Sequence, residues 1–203
     1  YVMSLSDAYP TNVRAYMITT DGSSETITYS YYNEGLIISE YGEGSGTNKW
    51  IEIYNPNDYV VDLSNYALSL FTSAVVSPSY TETFADKTIA PHDVYVVYNS
   101  GSVAAVSAEG DLVNNLVINF NGDDEVALYK DGFIIDVIGV IGSSGDFAKD
   151  VTLVRNTDIV SPNSTYTISE WTQNASDYFD SIGFHNPTNP TSIEIGGLTE
   201  VMA

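Results

Sequence analysis

Five carboxylates in this chain stand where they could do chemistry together. Glu40, Glu43 and Glu52 surround one Gly/Ser-rich loop, and Asp123 and Asp124 share the turn Asn121-Gly122-Asp123-Asp124. Glu40 sits in the run LIISEY from Leu36, Glu52 in KWIEIY from Lys49, and the loop between these strand-like runs carries Glu43. By the period of two, Glu40 shares a face with Leu36 and Ile38, whereas Glu52 stands opposite Ile51 and Ile53. If the two strands pair across their loop, the two glutamates approach each other. Carboxylates within ~4 Å repel unless a cation or a proton intervenes. Ca2+, a hard cation that takes carboxylate and carbonyl oxygens, would answer that repulsion. A plainer reading competes. Asn121, Asp123 and Asp124 then make a turn by bonding local amides, while backbone groups or Arg155 satisfy Glu40 and Glu52 separately. No stretch has the alternating carboxylates and distal Glu of an EF-hand loop.

A second set of candidates is aromatic. Trp50 faces the same way as Glu52 and Tyr54, away from the isoleucines of its strand. An exposed Tyr41, Trp50 and Tyr54 would make a shelf for a sugar or a protein partner. The alternative is a second packing layer beneath residues 1–33. Asp136 interrupts the apolar run FIIDVIGV and, if buried, needs Arg155 or a loop amide as partner. His92 follows Pro91, and His185 follows Phe184; they read as turn and packing residues. GSGTN and IGSSGD lack a phosphate-loop Lys and the nucleophile-elbow pattern, so no catalytic constellation emerges and the chain reads as a non-enzyme.

The elements that must position these residues are short strands. The candidates begin at Leu36, Lys49, Tyr66 (YALSLF), Val94 (VYVVY), Leu116 (LVINF), Glu125 (EVALYK), Phe133 (FIIDVIGV) and Val151 (VTLVR). Spacings of ~8 to 15 residues suit an all-β sandwich. Turn chemistry separates them at Asn55-Pro56-Asn57-Asp58, Ala90-Pro91-His92-Asp93 and Lys130-Asp131-Gly132, the last being the strongest hairpin signal. Helical pattern is scarce; Ala175 to Ile182 offers one short turn of helix. Residues 1–33, with a hairpin signal at Asp21-Gly22-Ser23-Ser24, read as an N-terminal β-ribbon extension or the end of a preceding domain. Residues 34–187 read as the main domain, and 188–203 as a linker and the start of a following unit.

Composition narrows the partners. The 203 residues carry 27 Asp plus Glu against 6 Lys plus Arg, a formal charge of −21. That balance argues against direct nucleic-acid binding, which needs cations to displace counterions from the phosphates. It suits first the solubility of a secreted or surface-exposed module, and as a sharper alternative Ca2+ binding. No cysteine is present, which removes disulfides and thiolate metal sites. No apolar run approaches the ~20 residues that cross a bilayer, and no signal peptide is visible. The chain opens on Tyr1 rather than Met, which suggests a piece of a longer protein.

The order of blocks is recognisable. ISEYGEGSGTNKWIEIYNPNDYVVDLSNYALSL, then TIAPHDVYVV, NFNGDDEVALYKDGFIIDVIGVIG, TLVR, ISEW and DYFDSIGFHN together resemble the bacterial lamin-tail domain family over about residues 35–186, with Asn65 where that family usually has Gly. The resemblance implies an immunoglobulin-like β-sandwich with no catalytic machinery of its own, typically an appendage of secreted or surface proteins beside nucleases, phosphatases or other hydrolases. It implies no agreed ligand site. The expected function is binding or spacing: contacts to a protein or glycan at the cell surface, or tethering of a neighbouring domain. Two other readings remain open at this stage: a Ca2+-dependent adhesion or carbohydrate-binding module, and an accessory domain of an extracellular hydrolase or nuclease.

Overall fold

Alternation and turn chemistry together build this domain, in a computed structural model that describes residues 35–187. The ribbon read at residues 1–33 and the linker and strand start read at 188–203 lie outside those residues. In chain order the strands are β1 (Ile37–Glu43), β2 (Lys49–Tyr54), β3 (Val61–Asp62), β4 (Tyr66–Phe71), β5 (Tyr80–Thr83), β6 (Thr88–Ile89) and β7 (Val94–Tyr98). A single helical turn, α1 (Ala104–Ser107), precedes β8 (Leu112–Val113), β9 (Glu125–Lys130), β10 (Phe133–Ile138), β11 (Val151–Arg155) and β12 (Trp171–Ala175). One sheet runs β12-β11-β1-β2-β7-β8, the other β10-β9-β4-β5, and β3 pairs with β6 in a small ribbon. The two larger sheets close on a common core that includes Ile38, Tyr41, Ile51, Leu68, Leu128 and Leu153. The architecture is an immunoglobulin-like β-sandwich.

The hairpin at Lys130-Asp131-Gly132 forms as read. Asp131 and Gly132 both take positive φ, 52° and 83°, as the tight two-residue turn between β9 and β10 requires. All but one of the strand candidates become strands. The exception is LVINF: Val117, Ile118 and Phe120 are buried, yet they run as coil. The Asn114 side chain accepts the amides of Leu116 and Val117, each at 2.8 Å, offering the backbone a local alternative to a ladder. Nor is there a helix over Ala175–Ile182. β12 ends at Ala175, Asp177 turns the chain at φ 59°, and residues 176–187 continue as turns and coil.

Two bulges set the site. In β1 the register with β2 jumps from Ile38↔Ile53 to Glu40↔Glu52, leaving Ser39 as the extra residue. In β10 the register with β9 jumps between Ile134 and Asp136. Each bulge re-aims a carboxylate that simple alternation would have placed elsewhere.

Candidate functional site

The bulge at Ser39 corrects the face expected for Glu40. Leu36 and Ile38 enter the main core, but Glu40 turns to the opposite face of the six-stranded sheet. It arrives directly beside Glu52, its cross-strand partner, so the approach of the two carboxyls expected from sequence does occur. Both are buried. Glu52 accepts the Ser39 hydroxyl at 2.7 Å and the Gly183 amide at 2.7 Å. Glu40 accepts the indole N–H of Trp50 at 2.8 Å. Arg155, offered as their partner, lies elsewhere.

Burial dominates the electrostatics of this pair. It pushes Glu40 up to about 7, against the opposing pull of Ser181 and Trp50. Burial together with the charge of Glu40 pushes Glu52 up to about 8, against Ser39 and Gly183. A proton kept by the pair would relieve that repulsion without a cation.

The remaining candidate ligands do not join them. Glu43 sits on the core side and pairs with Lys49 Nζ at 2.6 Å, with its other oxygen on the Asp150 amide. Asp124 accepts the amides of Ser73 at 2.9 Å and Asn121 at 3.0 Å, which is the turn role of the plainer reading. Asp123 neighbours Asp124, and after burial, Glu43 and Asp124 its charge adds a last contribution that raises the Tyr41 hydroxyl. So Glu43, Asp123 and Asp124 stand apart from Glu40 and Glu52. Among the described residues no group of three or more His, Asp or Glu is arranged to hold a metal ion. The donor set expected for Ca2+ does not assemble.

The aromatic shelf is likewise corrected: Tyr41, Trp50 and Tyr54 are all buried. Tyr41 faces the main core, stacked on Phe120 at 4.3 Å. Trp50 does point to the other face, as alternation says, but there it packs with Val96, Val106 and Ile182. Phe179 tilts against its ring at 5.5 Å. Tyr54 meets the His185 ring edge-on at 4.9 Å, and burial holds that histidine down at about 4. A second packing layer exists, and the described residues that build it are α1 and the segment after β12. The Trp50 indole also lies flat over Gly42. A methyl at that position would enter the ring, so Gly42→Ala is expected to cost about 1–3 kcal/mol, read as a lower urea midpoint.

Asp136 finds both of the partners expected of it. The bulge in β10 points it inward, where it accepts the Ile38 amide at 2.8 Å, the Asn163 amide at 3.1 Å and the Arg155 guanidinium at 3.3 Å. Arg155 also pairs with Glu170 at 2.9 Å and lies 4.6 Å from the Trp171 ring. His92, at positive φ in its turn, bonds Asp58 at 2.7 Å and approaches the Tyr54 hydroxyl at 3.3 Å.

Sequence reasoning did not find Ser39, Ser181, Gly183, Glu109 or Asp111 as parts of this layer. The one available signal was Gly183, whose φ of 89° marks a turn that brings its amide to Glu52. Beside the layer a groove of about 300 Å³ opens between β12 and the following segment, with Asn156, Asp158, Thr172, Asn174 and Tyr178 in its walls.

Comparison with known proteins gives one match: a family model described as Lamin Tail Domain covers residues 30–142, more than half of the chain. It ends before β11, so Arg155, β12 and the segment over Glu52 lie beyond it. No curated protein and no solved structure matches.

Proposed function

The chain belongs to the lamin tail domain family, and from that premise we propose that it is a non-catalytic module of a secreted or cell-surface bacterial protein, which contacts a protein or glycan partner or tethers a neighbouring domain. One observation carries the reading: the side chains best able to do chemistry are spent on holding the sandwich together. Glu40 and Glu52 are buried against each other and the cover, Arg155 lies between Asp136 and Glu170, and His185 packs neutral on Tyr54. The groove wall of amide and hydroxyl side chains, with Tyr178, Arg155 and the Asp158 carboxylate, supports contact with a polyhydroxylated ligand, since Tyr offers a ring face and a polar tip.

Paired measurements on the purified chain test the proposal. Chromogenic phosphoester, ester and glycoside substrates should show background turnover only, and a glycan array should show saturable retention weakened by Tyr178→Ala. Calcium titration of chelator-treated protein should give no binding heat and no melting shift. Turnover that disappears in Glu40→Gln would overturn the non-catalytic reading. Retention that requires calcium would favour the adhesion-module alternative.

A further inference from the structure

Residues 176–187 cover the outer face of the six-stranded sheet without joining it as a strand. Side-chain carboxylates fasten them. Near the start, Asp177 accepts the Ser45 amide at 2.9 Å, the Ser45 hydroxyl at 2.6 Å and Asn48 Nδ2 at 2.9 Å. Near the other end the Gly183 amide donates to Glu52. Between these anchors Phe179 and Ile182 press on Trp50. The layer is imperfectly satisfied for a buried interface: Thr152 Oγ1 and His185 Nε2 are buried without a hydrogen bond. Such a layer, a small apolar cluster around Trp50, is less strongly favoured than the far larger apolar core on the other side of the sheet.

We propose that residues 176–187 are a displaceable strap, closed while the Glu40–Glu52 pair keeps a proton and released around Gly183 when both carboxyls ionise, which uncovers Trp50 and the outer face of the sheet. The anchors differ in kind. Burial works against the charge on Asp177, yet its bonds to Ser45 and Asn48 hold it below the usual carboxylate range, so it stays ionised and fastened. Glu52 is the labile anchor because it faces a second carboxyl.

Among the described residues no neighbouring cation is free to take the added charge. From the loop after α1, Glu109 packs against Gly183, and Asp111, bonded to the Val96 amide, adds its charge to Glu52. The strap contributes Asp177, Asp180, Tyr178 and His185, the last kept neutral above about 4. On β2, Lys49 points to the core side and pairs with Glu43, and Tyr54 carries no charge in this range. On β11, Arg155 is committed to Asp136 and Glu170, and Lys87 acts on Asp111. α1, β7 and β12 bring no charged side chain. A second ionisation at the pair therefore sets like charges side by side in a buried layer, and opening the strap to water relieves it.

Hydrogen exchange of the full chain between pH 6 and pH 9, corrected for intrinsic rates, reads the opening directly. Protection of amides in 178–185 is expected to fall at least about tenfold across that range and to stay well below that of β4 and β9 amides, which open only with the whole domain. The variant Glu40→Gln/Glu52→Gln should keep its strap protection at pH 9; Glu52→Gln alone serves if the double variant does not fold. Strap protection that is flat with pH, that matches the level of β4 and β9 at every pH, or that falls equally in the Gln variant would overturn the proposal.

Discussion

Thermal melting of this domain is expected to peak near pH 5–6 and to fall by ~10 °C on going to pH 9, an inversion of the usual acid sensitivity of carboxylate-rich proteins. Glu40 and Glu52 bind their protons at about 7 and about 8 in the folded chain, against 4.5 in an unpaired glutamate. Folding thus takes up protons. The stability these groups contribute is fully present below about 4.5 and is lost as pH climbs through 7 to 8. Asp136, raised by burial to about 6, and Glu125, raised by burial to about 7, add in the same direction. His185 acts oppositely: its folded value of about 4 lies below 6.5, so its contribution is complete above 6.5 and fades as pH falls toward 4. The maximum lies where both losses are small. Two buried groups shifted by more than a unit each are worth on the order of several kcal/mol together. Melting curves of the wild type and of Glu40→Gln/Glu52→Gln from pH 4.5 to 9 check this. The variant should lose most of the alkaline slope and exceed the wild type at pH 9. A wild-type profile flat or rising toward pH 9 would refute the assignment of these protons.

What the sequence shows of this site, and what it hides, has one physical cause. Alternation places Trp50, Glu52 and Tyr54 on one face of β2 and Ile51 and Ile53 on the other, and the structure agrees. The same rule misplaces Glu40, because a bulge inserts Ser39 and a period-two count cannot register an extra residue that carries no composition signal. Tyr41 is carried across by the same slip and ends in the main core. The Asp131-Gly132 turn was legible because its φ demands select residue types locally. The cover over Trp50 was not legible. It depends on a segment more than a hundred residues away, whose side chains offered only a short turn of helix that does not form. A buried aromatic face and an exposed one have the same local pattern; only the distant Phe179 and Ile182 decide between them.

The second large effect belongs to Asp136. By Ile38 the chain of β1 has run past the end of its pairing with β11, which stops at Glu40↔Val154, and the Ile38 amide turns to Asp136 on the facing sheet instead. One carboxylate thus joins β10 to β1, to the Asn163 amide and to Arg155. Asp136→Ala removes that acceptor and leaves a fully buried guanidinium, which has no means of losing its proton, with Glu170 as its remaining counter-charge. A cost of about 3–5 kcal/mol is expected, the range for breaking a buried pair from one side. Arg155→Met leaves the opposite problem, a buried carboxyl, and that group can neutralise itself. With the guanidinium gone, the largest influence holding Asp136 down is lost, and burial drives it further toward the protonated form. Arg155→Met should therefore be milder at pH 5 than at pH 8, while Asp136→Ala should be severe at both. Urea unfolding of the two variants at those pH values separates the cases. Equal costs at both pH values, or a cost under about 1 kcal/mol for Asp136→Ala, would mean that the two sheets are held by their apolar core alone and that this carboxylate is incidental to the join.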